Sequence, residues 1–172
     1  MSHAIPLSRG QVTRVDDTDY AWLNRWKWYC NEAGYAARNL DQATPHTILL
    51  MHRVILDAQP GELVDHINGD TLDNRRCNLR LVDGYQNQHN RRATQGRPYK
   101  GVSWYKRKSK WQARIQAYGR SHHLGYFKDP VEAALVYDAA SQILHGVYGR
   151  LNFPARAVAP ELAARIAARL NE

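Results

Sequence analysis

Residues 110–117 alternate strictly between polar and apolar side chains, and this alternation constrains the fold more than any other feature of the sequence. Its apolar members share one face of a predicted strand: Trp111, Ala113, Ile115 and Ala117. Similar short strands lie on either side, in "YKGVSWYKRK" and "SHHLGYF", and Asp129 and Pro130 then open a predicted helix, "VEAALVYDAASQILHG". The pattern predicts a three-stranded antiparallel sheet whose apolar face packs on one helix.

The opposite face of the middle strand is polar and basic. Gln112, Arg114 and Gln116 point away from the predicted helix, and the paired donors and acceptors of such side chains fit guanine and adenine edges in the major groove of DNA. The chain has a net charge of +8, with seven basic residues and no acidic residue from Lys100 to Arg120. We therefore expect double-stranded DNA as the partner.

Features that the sequence lacks exclude other classes of protein. There is no run of 18 apolar residues and no signal peptide at the start, so we expect a protein without membrane contact, in the cytoplasm of a bacterial host or a phage-infected cell. Cys30 and Cys77 lie 47 positions apart without a Cys-x-x-Cys spacing. This spacing predicts two packing residues, and neither a disulfide nor a zinc site.

The best candidate for a linker is the segment 93–98, "ATQGRP", which is small, polar and aperiodic. Residues 1–94 form the first predicted domain, with short strands, a helix over 16–26, an aromatic hairpin that turns at Gly34, and a strand running into a helix over 46–58. Residues 99–154 form the second domain. Residues 155–172 form an amphipathic helix that packs back on a domain or acts as a weak dimer seam, so we expect a monomer or a weak dimer.

Residues 61–92 carry a strand, a polar loop, a second strand and a helix, and this order brings Asp65, His66 and the polar face of the helix together. Hydrolysis of a phosphodiester needs a base for water and a divalent cation, and hard oxygen ligands suit magnesium or manganese. Asp65 and the amide oxygen of Asn87 are candidate ligands, and His66 is the candidate general base. Asn68, Asp70, Asp73 and Asn74 are interpreted as turn formers, and His52 and His89 as packed or solvated histidines.

The spacing of four residues in this segment carries a family resemblance. Asn78 follows His66 by twelve positions and Asn87 follows Asn78 by nine, and over residues 45–92 this resembles the HNH, or ββα-metal, nucleases of phage and intron homing endonucleases. The resemblance implies an α+β fold in which Asp65 and Asn87 bind one divalent ion, His66 is the base, and Asn78 is a structural amide that joins two loops. Because the set lacks soft ligands, magnesium or manganese is expected rather than zinc.

Residues 99–154 resemble a second family, the Apetala-two/ethylene-response-factor (ERF) DNA-binding domains, through "YKGVSWYKRKSKWQARI", "HLGYF", "EAALVYDAASQILHG" and "RLNFP". The resemblance implies that the sheet lies in the major groove. The expected DNA-contacting residues are Lys100, Ser103, Trp104, Lys106, Arg107, Lys110, Gln112, Arg114 and Gln116. Ser103, Gln116 and His123 stand where plant members carry Arg and Trp, so the target sequence does not transfer. The expected core residues are Trp111, Leu124, Phe127, Ala133, Ala134 and Tyr137.

These features together predict a metal-dependent DNA endonuclease or nickase of phage or mobile-element type, without a small-molecule cofactor. The main alternative is a sequence-specific transcription regulator with an inactive HNH fold, which binds duplexes without metal-dependent scission. A further alternative is a basic RNA-binding protein that prefers single strands or shape.

Overall fold

The structure is a computed structural model that describes residues 1–40 and 47–170. Two predicted segments, 46–58 and 155–172, extend at one end into residues outside these ranges. The chain divides into two compact units, Met1–Asn87 and Gln88–Glu172. Small antiparallel sheets and helices make up both units, which confirms the prediction of a mixed fold.

The first unit contains three small antiparallel sheets, with strand orders β1-β2, β3-β4-β5 and β6-β7. Its elements are β1 (Ser2–Pro6), β2 (Val12–Asp16), α1 (Asp17–Leu23), β3 (Tyr29–Cys30), β4 (Ala36–Asn39), β5 (Ile48–Leu50), α2 (Met51–Ile55), β6 (Leu63–His66), β7 (Leu79–Val82) and the first four residues of α3 (Gly84–His89). Apolar side chains from all three sheets and from α1 and α2 form its core, including Ile5, Val15, Leu23, Met51 and Leu79.

The predicted aromatic hairpin is present, with Tyr29 paired to Ala37 across β3 and β4. Helix α1 is shorter than its predicted range because it ends at Leu23, and Trp26 lies beyond its end with half of its surface exposed. Both cysteines are free, as expected. Cys77 is exposed and not a packing residue, because it lies in a short 3-10 turn over Arg76–Asn78 at the surface.

The second unit contains the predicted three-stranded antiparallel sheet, in the order β10-β9-β8. Its elements are β8 (Val102–Tyr105), β9 (Lys110–Ala117), β10 (Arg120–Phe127), α4 (Pro130–His145) and α5 (Pro160–Leu170). Asp129 caps α4 by accepting a 3.0 Å hydrogen bond from the backbone N–H of Val131, and Pro130 is the first helical residue. Both of these predictions are confirmed.

The core of the second unit lies between the sheet and α4, and it contains the predicted core residues. Leu124, Ala133, Ala134 and Tyr137 are buried, and Trp111 and Phe127 pack against them partly buried. The turn directly before β8 approaches α4 so closely that a Cβ at Gly101, where φ is +72°, would lie 2.0 Å from the Tyr137 ring. Only glycine fits this position. None of the helices in the described ranges is long and apolar enough to cross a membrane.

The two units meet in sequence at Asn87 and Gln88, whereas the predicted linker covered 93–98. The reason is that His89 packs within the second unit. Its ring stacks on His145 with centroids 3.6 Å apart, and its carbonyl accepts hydrogen bonds from the N–H of Arg150 and from the ammonium group of Lys100. The segment before the predicted linker therefore belongs to the second unit.

Candidate functional site

The hairpin of β6 and β7 presents Asp65 and His66 at the end next to its connecting loop, and side chains of adjacent residues in a strand point to opposite faces. Asp65 lies directly across from Arg80 in the register of the two strands. The Arg80 guanidinium donates to Oδ2 of Asp65 from Nε at 2.9 Å and from Nη2 at 2.7 Å. Both side chains are largely buried. Asp65 is thus a buried carboxylate held in a fixed position by an internal cation.

The His66 imidazole is held by a chain of polar side chains. Its Nε2 lies 3.1 Å from Oδ1 of Asn74, and Nδ2 of Asn74 donates to the Thr13 hydroxyl at 2.7 Å. Because Asn74 uses its amide NH₂ on Thr13 and turns its oxygen to the imidazole, His66 donates from Nε2 and carries its lone pair on Nδ1. The sequence indicates that Asn74 forms a turn. In the structure Asn74 is buried, and it also orients the imidazole of His66.

The surroundings of His66 keep it neutral. Burial lowers the pKa of His66, and this effect exceeds the opposing influence of the Asn74 hydrogen bond and of the Asp65 charge. A neutral imidazole with a lone pair is the form that accepts a proton from water. Only 4 % of the residue surface is exposed, yet its neighbours are polar.

Two aromatic rings contact His66 that the sequence did not predict as its neighbours. The His52 ring lies edge-on to the His66 ring with centroids 5.1 Å apart, and the Tyr35 ring lies 5.9 Å away. Burial lowers the pKa of His52 to about 3, with smaller contributions from the charges of His66 and Arg53. Within the described part of the chain, no hydrogen-bond partner is found for Nδ1 of His52. No spacing rule connects positions 35, 52 and 66, and only the tertiary fold brings them together.

Asn78 joins the loop after β6 to the loop before β7. Its Oδ1 accepts a 2.9 Å hydrogen bond from the N–H of Asn68, and its Nδ2 donates to the carbonyl of Asp73 at 2.7 Å. Its own carbonyl accepts from the N–H of Ile67 at 2.9 Å, directly after His66. These contacts support the structural role that the resemblance implies for Asn78.

The other loop residues make local contacts typical of turns. Oδ1 of Asp70 accepts from the N–H of Leu72 at 3.0 Å, and Oδ1 of Asn68 accepts from the N–H of Asp70 at 2.8 Å. Asp73 pairs with Arg75 at 2.6 Å, and this hydrogen bond lowers the pKa of the Asp73 carboxyl. The loop is therefore a rigid support for the base.

Asn87 lies half-buried in α3, the helix that follows β7 directly. Its backbone N–H donates to the carbonyl of Asp83 at 3.0 Å, which fixes it in the first turn of the helix. Among the residues that the structure describes, no cluster of three or more His, Cys, Asp or Glu side chains suits a metal ion. The proposed donor set contains one carboxylate and one amide, and such hard oxygen ligands fit magnesium or manganese in chemical type. Since Arg80 already neutralises Asp65, we expect weak binding of the ion.

In the second unit, the sheet face opposite α4 is polar. Gln112, Arg114 and Gln116 alternate with the buried residues of β9, and Ser103 and His123 lie across from Gln112 and Arg114 on the adjacent strands. A cleft of about 580 Å³ borders this face, and three further basic residues line it: Arg91, Arg97 and Lys100. Lys106 and Arg107 are exposed in the turn between β8 and β9.

Two of the expected DNA-contacting residues lie in other surroundings. Trp104 pairs with Trp111 across β8 and β9, with ring centroids 5.3 Å apart, so strand alternation places it on the face opposite Arg114. Trp104 and Arg114 therefore lie on opposite faces of the sheet, and contact of Trp104 with DNA stays a prediction. The Lys100 ammonium donates to the carbonyl of His89, and burial lowers the pKa of Lys100 to about 8. Lys100 thus stabilises the wall of the cleft.

Comparison with known proteins identifies the class of the first site. Residues 50–89 match the family described as HNH endonuclease. A protein of Acanthamoeba polyphaga mimivirus, named as an uncharacterized HNH endonuclease, is 26% identical over 151 residues, which cover 85% of this chain and 78% of that protein. Protein 3.8 of Escherichia phage T7 is 29% identical over 92 residues, which cover 52% of this chain and 75% of that protein. No solved structure matches.

The family match spans α2, β6, β7 and α3, so it contains the His66 site. The chain carries an HNH endonuclease domain, and the prediction of a nuclease enzyme is confirmed. The viral and phage relatives agree with the predicted phage-type context. The family match ends before residue 99, so the ERF-like nature of the second unit stays a prediction, as do homing and the identity of the metal.

Proposed function

We propose that the protein is a metal-dependent DNA endonuclease or nickase that cuts a phosphodiester at the β6 and β7 hairpin and holds duplex DNA on the polar sheet face of its second unit. The orientation of His66 by the Asn74 and Thr13 chain carries this proposal. Burial of a polar group costs free energy of desolvation, and apolar side chains would fill the same space without that cost. A buried imidazole with a defined tautomer beside a carboxylate therefore points to a chemical role and not only to packing.

In the proposed reaction, Nδ1 of His66 takes a proton from a water molecule as the water oxygen bonds to phosphorus. The bond from phosphorus to the 3′ oxygen breaks, and solvent protonates the departing oxygen, which leaves a 5′ phosphate and a 3′ hydroxyl. Asn74 holds the Nε2 proton throughout, so the imidazole presents the same nitrogen to each water. Asn78 keeps the backbone around His66 in place through its contacts with both loops.

Asp65 and Asn87 are the proposed ligands of one magnesium or manganese ion. When bound, the ion neutralises charge on the phosphate and on the departing oxygen. Its single protein carboxylate is already paired with Arg80, so we expect the DNA phosphate to complete the site.

For the second unit we propose an ERF-like domain that places Arg114, Gln112 and Gln116 against base edges in the major groove. Arg114 and Gln116 are exposed on the polar face of the middle strand. The basic turn with Lys106 and Arg107 and the start of β9 at Lys110 are suited to backbone phosphates, which fix register without reading sequence.

The test is strand scission of supercoiled plasmid in magnesium and in chelator. Open circles indicate a nickase, and linear product indicates cleavage of both strands. Asn87→Ala is expected to raise the magnesium concentration needed for half-maximal cleavage, because one oxygen ligand is lost. Identical magnesium dependence of this variant and the wild type would contradict the ligand assignment.

The Asp65 and Arg80 pair favours one second candidate, a transcription regulator with an inactive HNH domain, because a guanidinium already pairs with the carboxylate that the metal needs. That protein would bind duplexes in a salt-sensitive manner without cutting them. Competition between duplex DNA and RNA separates both candidates from an RNA-binding protein.

A further inference from the structure

The C-terminal helix α5 packs its apolar side on the second unit and leaves two arginines outside. Ile166 is buried in the core, and Leu162 and Leu170 pack against it partly buried. Arg165 and Arg169, four residues apart on one side of the helix, are exposed. Attachment of α5 to the domain requires only the apolar side, so packing does not explain the arginines.

Both arginines line a cleft of about 1030 Å³ between α5 and β10, the edge strand of the sheet. Lys108, from the turn between β8 and β9, and Lys110, at the start of β9, line the same cleft. Glu132 is the one acidic residue among the lining side chains that the structure describes. Four cations against one carboxylate give the cleft a positive potential that favours an anion.

The cleft and the polar sheet face meet at His123. His123 lines the cleft and lies directly across from Arg114 in the register of β9 and β10. Burial lowers the pKa of His123 first, and the charges of Arg169, Arg114 and Lys108 lower it further, so all three cations lie close to one imidazole. A Cβ built at Gly125 would lie 3.8 Å from Nη1 of Arg169, which places this guanidinium beside the backbone of β10. Helix α5 therefore extends the basic face beyond the last strand.

We propose that Arg165 and Arg169 bind the sugar-phosphate backbone of the same duplex that the polar sheet face contacts. Adjacent strands lie about 4.8 Å apart and the major groove is about 12 Å wide, so a helix beside the edge strand lies near the phosphates that border the groove. The proposal rests on the proposed binding of duplex DNA by the second unit, and it makes α5 part of the DNA-binding surface instead of a dimer seam.

The experiment measures the affinity of the full-length protein for a mixed-sequence duplex of about 30 base pairs over a range of salt concentrations, in chelator so that no cleavage occurs. Each phosphate contact contributes about 0.9 to the slope of log affinity against log salt. The variant R165A/R169A is expected to lower the slope by about 2 and the affinity on the order of tenfold at physiological salt. Alanine is the best helix former, so the substitution leaves α5 intact.

Two matched variants make the result specific. Arg156→Ala removes an exposed arginine that does not line the cleft, and it is expected to leave the slope unchanged. R165K/R169K keeps both charges and is expected to keep the slope. A wild-type slope in R165A/R169A, or an equal loss in the Arg156 variant, overturns the proposal. If the wild type does not cut plasmid in magnesium but R165A/R169A still lowers the salt slope, the nuclease mechanism alone is refuted. If the wild type does not bind the duplex, this proposal is overturned.

Discussion

Replacement of Arg80 by methionine is predicted to destabilise the first unit strongly, and the loss is predicted to disappear when Asp65 is neutralised as well. The Asp65 side chain is 9% exposed and the Arg80 side chain 15%, so methionine at position 80 leaves a buried carboxylate without its cation. Breaking one side of such a pair costs about 3 to 5 kcal/mol, whereas replacing both members is often close to neutral.

The measurement is urea unfolding of four proteins at neutral pH without metal: the wild type, Arg80→Met, Asp65→Asn and the double variant. We expect about 3 kcal/mol of destabilisation for Arg80→Met and a coupling energy of about 2 to 3 kcal/mol in the double-mutant cycle. Arg25→Met, at an exposed position of the same unit, is the control and should change stability by less than about 0.5 kcal/mol. Additive losses in the double variant would refute the argument that the two charges compensate each other inside the hairpin.

Three further changes test other parts of the account. Asn78→Ala removes one buried and one partly buried hydrogen bond and should cost about 2 to 3 kcal/mol and slow cleavage, with duplex affinity unchanged. His52 has a pKa of about 3 in the folded protein, so between pH 6.5 and 4 the unfolded chain binds a proton that the folded chain does not, and the free energy of unfolding falls by about 1.4 kcal/mol per pH unit. His52→Phe should remove this part of the pH dependence of stability. Arg114→Ala should weaken duplex binding by about 1 to 3 kcal/mol, as expected for loss of a base-edge contact, whereas Trp104→Ala, on the opposite face, should not.

Each of these expectations has a contradicting result. Unchanged unfolding of the Asn78 variant would show that the loops hold together without this amide. An equally steep pH dependence in His52→Phe would show that the buried imidazole does not resist protonation; chemical unfolding followed at several pH values decides this. Equal losses of duplex affinity for Trp104→Ala and Arg114→Ala, measured by fluorescence anisotropy, would place both side chains on DNA.

The local pattern of the sequence is sufficient to predict the second unit. Strand alternation around Arg114, the Asp129 cap and the order of three strands and a helix are features of neighbouring residues, and the structure confirms them. Alternation also contained the information that Trp104 and Arg114 face opposite ways, since they pair with positions 111 and 123. The family resemblance named both among the DNA-contacting residues without regard to the face of the sheet on which each lies.

The first unit was less predictable, because its site depends on long-range contacts. His66 contacts Asn74 in the loop after β6, and Asn74 in turn contacts Thr13 in β2. The His52 ring, which packs against His66, belongs to a separate helix, α2. Motif spacing identified Asp65, His66, Asn78 and Asn87 as candidates. It contained no sign of the Arg80 pair, because only the strand register brings positions 65 and 80 face to face. The structure divides between Asn87 and Gln88, before the predicted linker, because His89 packs on His145 through a contact that is also long-range.

The most direct test of the proposed mechanism compares plasmid cleavage by the wild type, His66→Ala and His3→Ala in magnesium. His3 is a histidine of the same unit that pairs with Asp17 at the surface, outside the hairpin. A general base contributes about 10²- to 10⁴-fold, so His66→Ala should cut at least 100-fold more slowly with its duplex affinity unchanged, and His3→Ala should cut like the wild type. Cleavage by His66→Ala at the wild-type rate would contradict the assignment of this imidazole as the base.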